Sequence, residues 1–390
     1  MKAENLMIVQ GGGPTAVFNA SLSSVIAEGI CQPKIGSVFG ARFGVKGLAQ
    51  EGDADLSRMT SEELQILRAS PGAALGSSRF KPTEEDLHRM VASLRRRDIR
   101  HLIFIGGNGT MRGAELVSRF CRVAKFEVQI IGIPKTVDND IAVTDRCPGY
   151  GSAARYIAQS TRALGMDIRS LPQPVTILET MGRSVGWLAG ASTLAKVEEA
   201  DAPHLVYLPE LPFHKERFLA DLDGVVTKQG WAVVVVSEGI RSEDGSLVYE
   251  KSDPSQLDPL KRPMTGGVGQ FLADMVAENL RIRCRSEKPG LLGRSSMALV
   301  SAQDQQDAEF VGRSGVRALL AGETDKMVAL KPLDDADESG YHLVPLSAVS
   351  GVDRAIPAEW LVEGPLAVSP AFRKYLDPLV GDLNRYSTLL

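Results

Sequence analysis

Two short apolar runs end in turns whose residue types suit phosphate chemistry. Ile103-Phe-Ile105 breaks into Gly106-Gly-Asn-Gly-Thr110, and Ile131-Gly-Ile133 breaks into Pro134-Lys-Thr-Val-Asp-Asn-Asp140. The first turn places Gly106, Gly107 and Gly109 where backbone must approach a partner closely, and a helix pattern follows from Met111. A strand, a nest of N–H groups and a helix N-terminus together suit a phosphate. The second turn offers a cation (Lys135), a hydroxyl (Thr136) and two carboxylates, Asp138 and Asp140. In an open α/β sheet, ligands sit beyond the carboxyl ends of the strands. A phosphate cradle beside a carboxylate pair is the chemistry of phosphoryl transfer with a magnesium ion.

The rest of the chain must position these turns. Leu6-Met-Ile-Val9 predicts a buried strand, followed by a glycine turn through Gly13 and a helix to about Gly29, with Pro14 tolerated at its start. Thr60 and Thr83 begin acid-rich first turns, and Thr60-Ser-Glu-Glu63 has capping-box spacing. Between them, Ala74-Leu-Gly-Ser-Ser-Arg-Phe-Lys81 is a glycine-serine turn ending in cations. Further strands are expected at Gly36–Phe39, Val175–Glu179, Leu205–Leu208, Ala232–Val236 and Met297–Val300. Helices are expected after Gly151, over Val185–Val197, about His214–Thr227, from Thr265 to Leu280 and over Asp304–Leu320. Arg281, Arg283 and Arg285 read as crowding a short loop, and the proline-bearing tail after Gly351 carries no legible motif. Strands alternating with helices predict an α/β protein with doubly wound parallel sheets. The expected division is two lobes interleaved in sequence, 1–149 plus about 293–345 and 150–292 plus about 346–390.

Gly11-x-Gly13-x-x-Ala16 also fits a loose dinucleotide fingerprint. That reading expects an acid at the end of the second strand, where this chain has Gly40-Ala-Arg-Phe-Gly44, and it leaves two further phosphate-type turns unexplained. Bulk composition excludes other classes. Over 390 residues, 44 basic side chains oppose 48 acidic ones, a formal charge of −4 that does not suit a nucleic-acid or membrane-surface partner. No run of eighteen apolar residues and no signal-type h-region is present, and Cys31, Cys121, Cys147 and Cys284 lack metal-site spacing. A cytoplasmic protein with idle thiols is expected.

The Gly-Gly-Asn-Gly-Thr turn, the Pro-Lys-Thr-Val-Asp-Asn-Asp turn and Glu179-Thr-Met-Gly-Arg183 together resemble the phosphofructokinase family, and within it the bacterial pyrophosphate-dependent branch. Gln10-Gly-Gly-Gly-Pro-Thr-Ala-Val-Phe-Asn-Ala20, Leu75-Gly-Ser-Ser-Arg-Phe80 and Val236-Ser-Glu-Gly239 extend the resemblance in family order to about Arg294. The resemblance implies two lobes with the active site in the cleft between them, a donor lobe (the first) and a sugar-acceptor lobe (the second). It implies transfer to the C1 hydroxyl of fructose 6-phosphate, Mg²⁺ dependence, a place in glycolysis, and a homodimer or homotetramer. Asp138 is then the general base, Thr136 holds the transferring group and Arg183 neutralises its charge. Gly13, Arg79, Phe80, Gly107, Asn108, Gly109, Thr110 and Lys135 bind the donor. Thr136, Asp138, Asp140, Met181, Gly182, Arg183, Glu238, Arg285 and Arg294 bind the acceptor, and Asn108 and Asp140 take the metal.

The chain departs from the family pattern in three places. Asn108 stands where an aspartate usually helps hold the metal. Pro174 and Leu291 stand where basic or polar residues commonly meet the 6-phosphate, which admits another sugar or a polyol as acceptor. These changes also raise a non-catalytic subunit of the family, against which the intact Asp138, Asp140, Thr136 and Arg183 weigh. Gly109 stands where pyrophosphate users carry an acid that would crowd and repel a nucleotide's α-phosphate, while Lys135 is shared by users of both donors. ATP is the expected donor and pyrophosphate the alternative.

Overall fold

The computed structural model describes residues 3–78, 80–171, 175–250, 266–335, 337 and 339–388. Arg79, Pro174 and Thr265 therefore lie outside the described residues. The chain forms two compact units, Met1–Tyr150 with Ser295–Arg354 and Gly151–Arg294 with Ala355–Leu390. In chain order the strands are β1 (Glu4–Gln10), β2 (Ile35–Ala41), β3 (Asp53–Asp55), β4 (Ile99–Gly106), β5 (Gln129–Pro134), β6 (Val175–Thr180), β7 (Leu205–Tyr207), β8 (Ala232–Ser237), β9 (Cys284–Glu287), β10 (Lys326–Leu330) and β11 (Tyr341–Pro345).

The first unit holds a seven-stranded sheet ordered β11-β10-β5-β4-β1-β2-β3. Its interior pairs are parallel, and only the edge strands β3 and β11 run antiparallel to their neighbours. Parallel strands covered on both faces are apolar throughout. Accordingly Ile8, Ile103 and Ile133 face the helices Phe18–Cys31 and Ala302–Leu320, while Met7, Phe104 and Ile130 face Glu84–Arg96 and Asn108–Val123. Truncating a fully buried side chain such as Phe104 to alanine costs about 3–5 kcal/mol in such a core. Both threonine caps form. The Thr60 and Thr83 hydroxyls accept from the N–H groups of Glu63 and Asp86, whose carboxylates bond back to the threonine N–H groups. Glu63 and Asp86 are held below their ordinary carboxylate range by these bonds.

The second unit holds a four-stranded parallel sheet, β7-β8-β6-β9. Every residue of β6 and β8 is buried, and Val234 and Val236 pack with Phe218 and Leu272 of the helices Lys215–Gln229 and Val268–Leu280.

Several expectations change. Met297–Leu299 is a short 3₁₀ turn rather than a strand, because four apolar residues do not distinguish the two and no sheet edge receives them. The helix expected over Val185–Val197 is shorter, Trp187–Ala191 continued by the 3₁₀ turn Ser192–Ala195. Arg285 is on β9, not in a loop. The tail contributes the helix Pro370–Val380, whose Phe372 and Tyr375 pack with Trp187 and Trp360. All four cysteines are free. No helix among the described residues is long and apolar enough to cross a membrane.

Candidate active site

In the first unit, β1, β4 and β5 are adjacent and end together, with Gln10 paired to Ile105 and Gly106 to Pro134. Their turns are interlocked. Thr110, buried in the first turn of the helix Asn108–Val123, packs so closely against Gly11 and Gly106 that a Cβ at either would collide with its hydroxyl. Gly11 N–H donates to the Ile105 carbonyl at 2.9 Å, and Lys135 N–H to that of Gly106 at 3.0 Å. The Lys135 side chain is 2% exposed, its ammonium 2.6 Å from the Gly13 carbonyl and 4.5 Å from the centre of the Phe18 ring. This cation ties the first glycine turn to the carboxylate turn. Ser77 Oγ donates to the Gly12 carbonyl at 2.6 Å and Leu75 N–H to Gln10 Oε1 at 3.0 Å, anchoring the loop that leads to Arg79. Phe80 packs against the core beneath.

Gly109 is different from these glycines. It is exposed in the first turn of its helix, and no atom lies within 4 Å of where a Cβ would stand. With no acid in that first turn, no side chain of the turn offsets the positive end of the helix.

The carboxylate turn is built on itself. Thr136 Oγ1 accepts from Asp138 N–H at 3.1 Å. Asn139 takes a left-handed conformation (φ 53°), and its buried amide oxygen accepts from Cys147 N–H at 3.0 Å. Asp138 and Asp140 therefore alternate around a fixed turn. Burial pushes the Asp140 carboxyl above its ordinary range and the nearby Asp353 charge adds to this, while the Thr136 hydroxyl and the Lys135 charge pull it down. The Asn108 amide donates to Asp140 Oδ2 at 3.3 Å, to its carbonyl at 3.1 Å and to Asp353 Oδ1 at 2.9 Å. Oδ1 of Asn108 and Oδ1 of Asp140 are buried without a hydrogen-bond partner among the described residues. With the Asn108 amide turned about its last bond, its oxygen would join the Asp140 carboxylate in a donor set that fits a hard divalent cation such as Mg²⁺.

In the second unit, β6 and β8 pair through Thr180 and Ser237 and end side by side. Glu238 N–H donates to the Thr180 carbonyl at 3.0 Å, and Ser237 Oγ to that of Gly182 at 2.6 Å. A Cβ at Gly239 would strike the Arg183 carbonyl. Met181, Gly182, Arg183 and Glu238 are thus brought together. Glu210, largely buried, accepts from Gly186 N–H at 2.9 Å and Ile356 N–H at 3.3 Å, bracing the far end of the Arg183 loop. Burial pushes its carboxyl up.

Sequence reasoning missed Glu179 and Lys288. Glu179, 1% exposed, accepts from Gly267 N–H at 2.9 Å and Gly269 N–H at 2.8 Å. The Lys288 ammonium lies 2.6 Å from Glu179 and 3.8 Å from Glu238. A narrow cavity opens beside Glu179, Thr180 and Met181, bounded by Pro289, Gly290 and Gly293. Arg294, on the short helix Leu292–Ser295, follows this wall, and Leu291 is exposed. Arg285 stands apart: it pairs with Thr176, five residues before Met181, about 16 Å back along the strand.

The phosphofructokinase family model matches residues 5–319. The chain belongs to the phosphofructokinase family. It is 36% identical to the pyrophosphate–fructose 6-phosphate 1-phosphotransferase of Xanthomonas campestris over 96% of this chain and 91% of that one. It is 35% identical to a sulfofructose kinase of Alkalicoccus urumqiensis over 98% of this chain and 96% of that one. The solved pyrophosphate-dependent phosphofructokinase of Nitrosospira multiformis superposes with a TM-score of 0.87 at 32% identity, covering 100% of this chain and 95% of that one. The protein is a phosphotransferase of the phosphofructokinase type, with the family's two-unit α/β fold. Membership does not settle the phosphoryl donor.

Proposed function

We propose that this phosphofructokinase moves the terminal phosphoryl group of ATP to the C1 hydroxyl of fructose 6-phosphate. The first unit binds the donor and the second the acceptor. Asp138 takes the hydroxyl proton as the oxygen attacks phosphorus, Thr136 holds the transferring group, and Arg183 balances its growing charge. Asn108 and Asp140 would hold Mg²⁺, which when bound neutralises charge on the phosphates. Met181 and Glu238 orient the sugar hydroxyls.

The observation that carries the donor assignment is the empty space at Gly109, which leaves room for a nucleotide's α-phosphate at the mouth of the helix. The pyrophosphate-dependent relative supports pyrophosphate as a second reading. For the acceptor, a C6 sulfonate is the second reading. A sulfonate bears one charge where a phosphate bears about 1.5–2 near neutrality, so it needs fewer cations. Arg285 lies back along its strand and Leu291 carries no charge, and one relative is named a sulfofructose kinase. The test is a grid of ATP and pyrophosphate against fructose 6-phosphate, 6-deoxy-6-sulfofructose and fructose. Highest kcat/KM with ATP and fructose 6-phosphate is expected; a preference for pyrophosphate would remove the Gly109 argument.

A further inference from the structure

Three segments of the first unit meet where the helix Asn108–Val123 begins. Asn108 comes from the glycine turn, Asp140 from the loop after β5, and Asp353 from the far end of the unit's sequence. The Asn108 amide donates to both acids, at 2.9 Å to Asp353 and 3.3 Å to Asp140. Backbone fixes the third partner here. Asp353 and Ile141 form an antiparallel bridge, Arg354 N–H donates to the Asp140 carbonyl at 2.8 Å, and the Arg354 guanidinium donates to the Asp145 carbonyl.

Two carboxylates thus share one neutral amide, while an oxygen of Asn108 and one of Asp140 stay buried and unbonded among the described residues. The amide brings no charge to offset two acids, and the nearby Lys135 ammonium is bonded to the Gly13 carbonyl. A divalent cation does, and Mg²⁺ also keeps several of its waters, which suits a carboxylate as exposed as Asp353. The amide assignment of Asn108 reverses by rotation about one bond, turning its oxygen toward the same corner.

We propose that Asp353 belongs to the metal site and supplies the negative charge that Asn108 does not. The proposal rests on the metal-dependent phosphotransfer reading above. It gives the corner a second carboxylate beside Asp140, where position 108 supplies only a neutral amide.

Manganese serves as the probe. Electron paramagnetic resonance of free Mn²⁺, titrated into the whole protein without donor or acceptor, reports binding independently of turnover. Asp353→Asn should raise the Mn²⁺ Kd about 10-fold or more, with circular dichroism and Tm unchanged. Asp140→Asn should do at least as much. Adding Asn108→Asp to Asp353→Asn should restore binding, an outcome that a misfolded variant cannot give. If Asp140→Asn weakens Mn²⁺ and Asp353→Asn does not, Asp353 has no part in the site. If wild type binds no Mn²⁺, or neither variant alters it, the metal assignment of this corner fails together with the proposal.

Discussion

The two strand-end regions solve one problem by different means. In the first unit the turns after β1, β4 and β5 are joined by backbone and close packing, with Thr110 seated against two glycines and Lys135 bonded to a carbonyl. In the second unit the ends of β6 and β8 lie among charged groups: Glu179 and Lys288 pair at 2.6 Å, Glu238 is nearby, and Glu210 braces the adjoining loop. Backbone bonds and close packing fix geometry at little cost when conditions change, and the Lys135 ammonium among them is held by the Gly13 carbonyl and the Phe18 ring. Buried charges hold position only while their partners and protonation states persist. The first arrangement suits a reacting centre, whose geometry must not drift, and the second suits an acceptor pocket, whose polarity must be tuned.

The comparison is broken most severely at Asp138. Asp138→Asn should lower kcat about 10²–10⁴-fold and leave the circular dichroism spectrum as it was; near-normal turnover in the folded variant would remove Asp138 from the mechanism. Next comes Gly109→Asp, which adds a negative charge at the proposed donor site, in a region that has space for it. The ratio of kcat/KM for ATP to that for pyrophosphate should fall by about 10²-fold or more, measured side by side, with Tm unaltered. An unchanged ratio would mean that the donor does not pass position 109.

Lys135 sharpens the contrast. Its ammonium is committed to Gly13 and Phe18, so Lys135→Met should cost about 1.5–3 kcal/mol of stability and impair both donors alike. Selective loss of pyrophosphate use would show instead that Lys135 acts on the donor directly. The smallest effect is expected at Glu210. Its folded-state carboxyl titrates above the ordinary value of 4.5, so the native state holds the extra proton and wild-type stability declines as pH rises through that window. Glu210→Gln keeps an acceptor for Gly186 N–H without the buried charge. It should therefore raise Tm by about 1–3 °C at neutral pH, with the gain vanishing below pH 4.5. A lower neutral Tm would mean that the charge itself is needed.

Much of this was legible where chemistry is local. The glycine and carboxylate turns announce themselves because a parallel strand, a tight turn and a helix start occupy adjacent residues. Thr60 and Thr83 were legible for the same reason, since a cap spans four positions. The sheet edges were not: Asp53-Ala-Asp55 is too short and polar to show a strand period. Arg285 could have been placed correctly. In Arg281-Ile-Arg-Cys-Arg285 cations alternate with Ile282 and Cys284, which pack against the core, and alternation is the mark of a half-buried strand. Asp353 and Lys288 offered no such pattern. Each acts through a contact with a distant segment, Asn108 in one case and Glu179 in the other, and such pairings appear only once the chain is folded.

The freedom around Gly109 has a consequence for descent. Gly11 and Gly106 are bound to Thr110, so an exchange at any of the three demands changes in the others. Position 109 carries no such obligation. Two of the four glycine codons lie one base from aspartate, and either residue leaves the scaffold intact. On the donor reading proposed above, a lineage could cross between triphosphate and pyrophosphate, and back again, in single mutational steps. On that reading, identity over the whole chain records ancestry, while the residue at 109 records a separate and more easily reversed choice of donor.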